Sequence, residues 1–304
     1  MRRIVSISIG SSQRDSQAVV TVCGEEFSVE RIGTDGDMLK AIALIKELDG
    51  KVAAFGMGGI DLYLQGGKRR YILREAKQIY RAAQTTPMVD GSGLKNTLER
   101  RTILNLAAEN DRMFRGKNVL LTCAVDRFGM AEALQDTGSD ILYGDVMFAL
   151  GFPWPIYKLK ALQAVVSVIA PLAVQLPFTW LYPTGSKQEN APDKHKYAKY
   201  YAWADVIAGD YHMIRKYMPD DLRKKTLITN TITPEDVVFL RERHVRELIT
   251  TTPNIAGRSF GTNVMEALLV ALLEKPLADI TADDYNRMLD VIGFAPRREM
   301  LNAI

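Results

Sequence analysis

Five short apolar runs beyond residue 112, 119–123, 140–143, 205–208, 226–229 and 247–250, alternate with segments of helical character. Strands separated by helices close on one another through right-handed crossovers, and this produces a parallel sheet. The fold class that follows is α/β. It comprises an N-terminal α/β domain over 1–112 and a C-terminal Rossmann-like open parallel sheet, with its closing helices, over 113–304.

The first domain reads as strands at 3–9, 18–23 and 27–32, then a turn over Gly33–Asp37. Asp37 supplies an N-cap for a helix over Met38–Leu48, whose apolar positions Leu39, Ile42, Ile45 and Leu48 trace one face. A strand at Val52–Phe55 and a hairpin turning at Gln65–Lys68 follow, with helices near 74–84 and 94–110 around a short strand at Met88-Val89. In the second domain, helices are expected at 127–137, 234–243, 261–273 and 283–292.

Composition excludes several function classes. Of 304 residues, 47% are apolar and 25% charged, which is globular usage. The 39 basic residues nearly balance 36 acidic ones, so no electrostatic case for nucleic acid exists. The two cysteines, Cys23 and Cys123, sit in apolar strand-like runs, and no leader precedes the first strand, so a reducing, cytoplasmic location is expected. The apolar stretch 161–181 is interrupted by Gln163, Ser167 and Gln175, and Pro171 and Pro177 are expected to break it into two short helices. It reads as core or as a homodimer face through 156–181; membrane contact is not expected.

Ligands of an open parallel sheet lie outside the carboxyl ends of its strands, so those ends carry the candidates. In the second domain they hold Thr122, Asp126, Arg127 and Gly129 after the first strand and Asp145 after the second. Thr229, Thr231 and Thr251 follow the last two. Asp145 lies 23 residues after Thr122, near the offset of a ribose-binding acid, and these eight residues are the cofactor candidates for NAD or NADP. Only Gly129 stands where a dinucleotide loop has three glycines. In the first domain, Lys95 with Asp61 or Asp90 forms the catalytic candidate set, because a lysine in a cleft can serve acid–base chemistry. Ser11, Ser12, Arg14, Asn96 and Asn263 are the substrate candidates, Arg14 as a grip for a carboxylate. His195, His212 and His244 are too dispersed for a metal site, and no P-loop is present.

The phrases at 8–12, 30–37, 58–64, 90–101 and 257–267 resemble bacterial proteins labelled quinate 5-dehydrogenase, within the shikimate and quinate dehydrogenases. That resemblance implies an N-terminal substrate domain, a nucleotide-binding sheet and a catalytic Lys-Asp pair. The chain departs from the pattern at Cys123–Gly129, in place of the glycine-rich loop, and at Asn263 and Glu266, in place of a glutamine. The expected function is an NAD(P)-dependent oxidoreductase acting on a hydroxylated carboxylic acid of quinate or shikimate type. The alternative is a non-catalytic nucleotide- or small-acid-binding protein using the same cleft between the domains.

Overall fold

The computed structural model describes residues 1–66, 69–177, 196–230, 232–252, 254–255, 258–259 and 261–303. It divides into two compact units, each α/β with a mainly parallel sheet. The first is Met1–Thr97, Ile169–Asn190 and Gly261–Phe294; the second is Leu98–Val168, Ala191–Phe260 and Ala295–Ile304.

The first sheet contains β1 (Arg2–Ser8), β2 (Ser16–Val22), β3 (Glu25–Gly33), β4 (Ala54–Gly58) and β7 (Met88–Val89), in the order β2-β3-β1-β4-β7. All neighbours are parallel except the β2–β3 hairpin. Cys23, expected within a strand, instead forms the turn of that hairpin with Gly24 and is exposed. Both faces of β1 are covered, as its near-continuous burial requires. Val5 and Ile7 pack with Ala41 and Ile45 of α1 (Met38–Leu48) and with Ala76 and Ile79 of α2 (Arg74–Tyr80). β5 (Tyr63–Gly66) and β6 (Arg69–Ile72) form the expected hairpin, whose Gly67 and Lys68 lie outside the described residues.

The second sheet contains β8 (Asn118–Leu121), β9 (Asp140–Tyr143), β10 (Val206–Ala208), β11 (Thr226–Thr229), β12 (Glu247–Thr250) and β15 (Arg297–Met300). Its order is β15-β12-β11-β10-β8-β9, with only β15 antiparallel. Counted along the chain this is the doubly wound order 2-1-3-4-5 with an added edge, not the 3-2-1-4-5-6 order of a Rossmann sheet. The parallel strands of the first sheet follow the same 2-1-3-4 winding.

Alternating strand residues in the second unit feed two cores. Val119, Leu121, Ile141 and Ile228 pack against α4 (Phe128–Asp136), α6 (Leu159–Ala173) and the later part of α3 (Ser92–Glu109). Leu120, Leu142, Ile207 and Leu227 pack against α7 (Ala198–Trp203), α8 (Tyr211–Tyr217) and α9 (Pro234–Glu242).

Two expectations change here. The expected boundary at 112/113 placed every closing helix in the second domain, whereas α10 (Thr262–Leu273) and α11 (Ala282–Val291) fold with the first unit. α10 reaches the first sheet because β4 offers glycines: a Cβ on Gly56 would come within 3.0 Å of the Asn263 carbonyl oxygen. α6 also runs through Pro171 instead of stopping there. The proline lies in the last turn, where it deprives only one carbonyl of its partner. Among the described residues, no helix is long and apolar enough to cross a membrane.

Candidate functional site

In the shared winding, the connections leaving the first and third parallel strands diverge, so a crevice opens at the carboxyl ends of that strand pair. In the first unit this is the β1/β4 pair, and in the second the β8/β10 pair.

The β1/β4 crevice is bordered by backbone. Gly59 has φ +73°, and a Cβ there would come within 2.9 Å of the Gly10 amide nitrogen, so only glycine fits. Ser8, buried at the end of β1, accepts from the Gly10 amide at 3.1 Å and from Arg31 Nη2 at 3.0 Å. Arg31 Nη1 also donates to the Ser11 carbonyl and to Asp15 Oδ1, each at 3.0 Å. Burial, and next the nearby Arg14 guanidinium, lower the Arg31 pKa.

On the other side of the crevice, Lys95 Nζ lies 3.2 Å from Asp61 Oδ1. Lys95 is nearly buried, with 9% side-chain exposure, and Asp61 has 21%. Asp90 positions this pair: its carboxylate accepts from the Leu62 amide at 2.7 Å and from the Ser92 amide at 3.0 Å, tying the Asp61 loop to the start of α3. The structure therefore brings Lys95, Asp61 and Asp90 together.

The substrate candidates fall in less uniform places. Ser11 and Ser12 are half-buried in a short 3-10 turn, Ser11 Oγ accepting from the Gln13 amide, while Arg14 is exposed. Asn96 is half-buried in the second turn of α3. Asn263 lies beneath the sheet, where its Nδ2 donates to Ser6 Oγ at 2.7 Å and ties α10 to β1. Sequence reading missed Arg31 and Ser8; the signal was a charged or hydroxyl residue near the carboxyl end of a buried strand.

Glu266 had entered only as a replacement for a glutamine. In α10 it is buried, its Oε1 accepts from Tyr285 Oη at 2.6 Å, and burial, followed by the Asp90 charge, pushes its pKa up to about 7. At the opposite, amino edge of this sheet lies a groove of about 540 Å³ lined by residues including Arg2, Ala53, Met88, Ala271 and Glu274. No candidate residue lines it, and Arg2 there is already bridged to Glu25 and Glu274.

In the second unit the corresponding groups satisfy one another. Gly209 has φ +131°, and a Cβ there would strike the Thr122 hydroxyl; beside it, Cys123 Sγ accepts from the Asp210 amide at 3.2 Å. Burial pushes the Cys123 thiol up to about 12. Arg127 is almost wholly buried and bonded to Glu99 and to Asp210, with Asp126 3.9 Å away. Gly129 is buried inside α4, and the Thr229 hydroxyl donates to the Gly209 carbonyl at 2.8 Å. Thr251 is buried, and its hydroxyl has no hydrogen-bond partner among the described residues. Thr231 lies outside the described residues.

Asp145 bears most directly on a nucleotide. Its carboxylate accepts from the Ala124 amide at 3.1 Å and the Val125 amide at 2.8 Å. Burial raises its pKa to about 6, against the pull of those two amides. The acid that would hold a ribose and the amides that would face a pyrophosphate are thus bonded to each other. These residues do not fit a bound dinucleotide. Among the described residues, no cluster of metal-ligating side chains occurs.

Residues 93–301 match the family model described as Domain of unknown function (DUF8754), and residues 3–90 match that of Domain of unknown function (DUF8753). No curated protein matches the chain. Similar solved structures include a Mycobacterium smegmatis protein in complex with beta-D-fucofuranose, at 10% identity and TM-score 0.39, covering 99% of each chain. Another is AraP, an arabinose binding protein from Geobacillus stearothermophilus, at 9% identity and TM-score 0.40, covering 94% of this chain and 99% of that one. A third is GanP, a glucose-galactose binding protein from the same organism, at 8% identity and TM-score 0.39, covering 99% and 97%.

These matches correct the resemblance to shikimate and quinate dehydrogenases. The family matched is DUF8754, and the similar structures are described as sugar complexes or sugar binding proteins, not oxidoreductases. The expected NAD(P)-dependent oxidation of a quinate-type acid is withdrawn with it. The inward-turned Asp145 and the missing glycines are the physical counterpart of that correction.

Proposed function

The chain belongs to the DUF8754 family, and for it we propose a role as a non-catalytic binding protein for a small hydroxylated acid, held at the carboxyl edge of the first sheet. The observation that carries this reading is the Lys95–Asp61 pair at 3.2 Å. An ammonium donor beside a carboxylate acceptor matches a hydroxyl group, which both accepts and donates. Partial exposure of Asp61 opens the pair to solvent.

Arg31, held at the end of β3 by Ser8, Ser11 and Asp15, supplies positive charge on the other side of β1 for an acidic group. Gly10 and Gly59 bring backbone close to the Ser8 hydroxyl and the Arg31 guanidinium at this edge, with no side chain of their own in the way. Asp90 supports the site without facing the ligand, because its carboxylate is occupied by two backbone amides.

A thermal-shift screen of sugars, sugar acids and small hydroxy acids tests the proposal. A hydroxy acid should stabilise the chain, the stabilisation should fall in Lys95→Met, and the ligand should be recovered unchanged. Equal stabilisation of Lys95→Met, or chemical conversion of the ligand, would contradict it.

A further inference from the structure

We propose that the loop 150–157 of the second unit is an anchor for an anionic lipid surface. Its sequence, Leu-Gly-Phe-Pro-Trp-Pro-Ile-Tyr, exposes Phe152 and Trp154 at 63% each, Tyr157 at 58% and Leu150 at 42%. Three projecting aromatics within six residues are costly in water unless something covers them.

The exposure belongs to a fixed conformation. Ile156 is buried and bridged to the end of β9, where the Tyr143 amide donates to the Ile156 carbonyl at 2.7 Å. At the other end, the Gly151 amide donates to the Met147 carbonyl at 3.0 Å, and the Trp154 amide donates to the Phe152 carbonyl at 2.7 Å. Pro153 and Pro155 fix φ at two of the remaining positions. The loop is thus pinned at both ends with Phe152 and Trp154 outward, so little conformational entropy is lost when they insert into another phase.

Charge selects the occupant. From 146 to 188 the chain has no Asp or Glu but holds Lys158, Lys160 and Lys187. Lys158 and Lys160 follow Tyr157 directly and are exposed, and Lys196 Nζ donates to the Gly151 carbonyl at 2.8 Å. None of Lys158, Lys160 and Lys196 is ion-paired among the described residues. Lys160 shares a shallow surface pocket with Arg100, Glu132 and Asp136, so Lys158 and Lys196 are the cations assigned to the partner.

A two-fold contact with a second copy would set these lysines against their own kind. Aromatic side chains at headgroup depth, flanked by lysines, match an anionic bilayer surface instead. Membrane contact through 156–181, peripheral or spanning, was not expected from sequence; the contact proposed here is peripheral and made by the loop 150–157.

The test is co-sedimentation of the whole chain with phosphatidylcholine vesicles, with and without 30% phosphatidylserine as a roughly physiological anionic fraction. We expect binding to the mixed vesicles, clearly weaker binding to phosphatidylcholine alone, and at least about a tenfold loss in Phe152→Ser/Trp154→Ser. Each of Lys158→Gln and Lys196→Gln should weaken binding about fivefold. All these positions are exposed, so unchanged melting curves would confirm folded variants. Three results would overturn the proposal: the chain remaining in the supernatant with both vesicles, equal sedimentation of the aromatic variant, or a dimer in sedimentation equilibrium that the aromatic variant abolishes.

Discussion

Lys95 and Asp61 meet across the β4/α3 side of the first sheet, Nζ to Oδ1 at 3.2 Å, although 34 residues separate them in the chain. Lys95→Met retains most of the buried aliphatic stem and removes the charge, leaving Asp61 partly in water. Stability should therefore change by no more than about 1 kcal/mol. Ligand affinity should fall about 10- to 100-fold, the worth of a charged hydrogen bond. Urea unfolding and calorimetric titration of the same variant separate these two effects. A large stability loss with unchanged affinity would make the pair structural.

Glu266 and Asp145 give the chain a pH dependence of known sign. Both are acids whose folded pKa is raised by burial, to about 7 and about 6, from ordinary values of 4.5 and 3.8. Their contribution is fully present below the ordinary values and is lost as pH rises through the folded ones. Stability should fall between about pH 4 and pH 7, by up to about 3 kcal/mol from Glu266 alone. Asp49, held down to about 2 by the Thr86 and Gln84 amides, acts oppositely and only below pH 4. Chemical denaturation from pH 4 to 8 should show the decline in the native chain and a smaller one in Glu266→Gln. A flat profile for the native chain would refute the assignment.

Arg127 and Glu99 form a buried ion pair inside the second unit, with the partly exposed Asp210 and Asp126 also beside the guanidinium. Removing one partner leaves a buried charge, so Glu99→Ala should cost about 3–5 kcal/mol. The double change Glu99→Ala/Arg127→Met removes both charges and should cost less than Glu99→Ala alone. Urea midpoints of the two variants decide this; an additive double variant would mean that the charges act independently.

Gly209 should tolerate no side chain. Its φ of +131° is closed to other residues, and an added Cβ would strike the Thr122 hydroxyl, whose backbone forms part of the central strand connection. Gly209→Ala is expected to cost at least about 1–3 kcal/mol, read as a lowered melting temperature. An unchanged melting temperature would show that the β8/β10 crevice is looser than described.

The α/β class and most strand positions were legible in the sequence, because buried parallel strands declare themselves as short apolar runs between helices. The helix Met38–Leu48 was predicted with its observed limits, since Asp37 accepts from the Lys40 amide as an N-cap should. What the sequence could not carry was partnership. α10 is apolar nearly all round, which implies burial but not which sheet receives it; that choice rests on Gly56, Gly58 and Gly91 clearing a path to Asn263.

The candidate sites show the same limit. Asp61, Asp90 and Lys95 were identified by position after strands, and the fold brings them together. Asp145 was identified by spacing too, but spacing does not say which way a carboxylate points, and this one turns inward to two amides. Arg31 was missed although it stands near the end of a strand, because its partners Ser8 and Ser11 come from a different strand end.

The central claim is that a small hydroxylated acid binds at the carboxyl edge of the first sheet. Calorimetric titration of the best-stabilising hydroxy acid into the native chain, Lys95→Met and Asp210→Asn tests it most directly. The account predicts one site per chain, retained in Asp210→Asn and weakened at least about tenfold in Lys95→Met. Binding unchanged in Lys95→Met but lost in Asp210→Asn would contradict it and move the site to the second sheet.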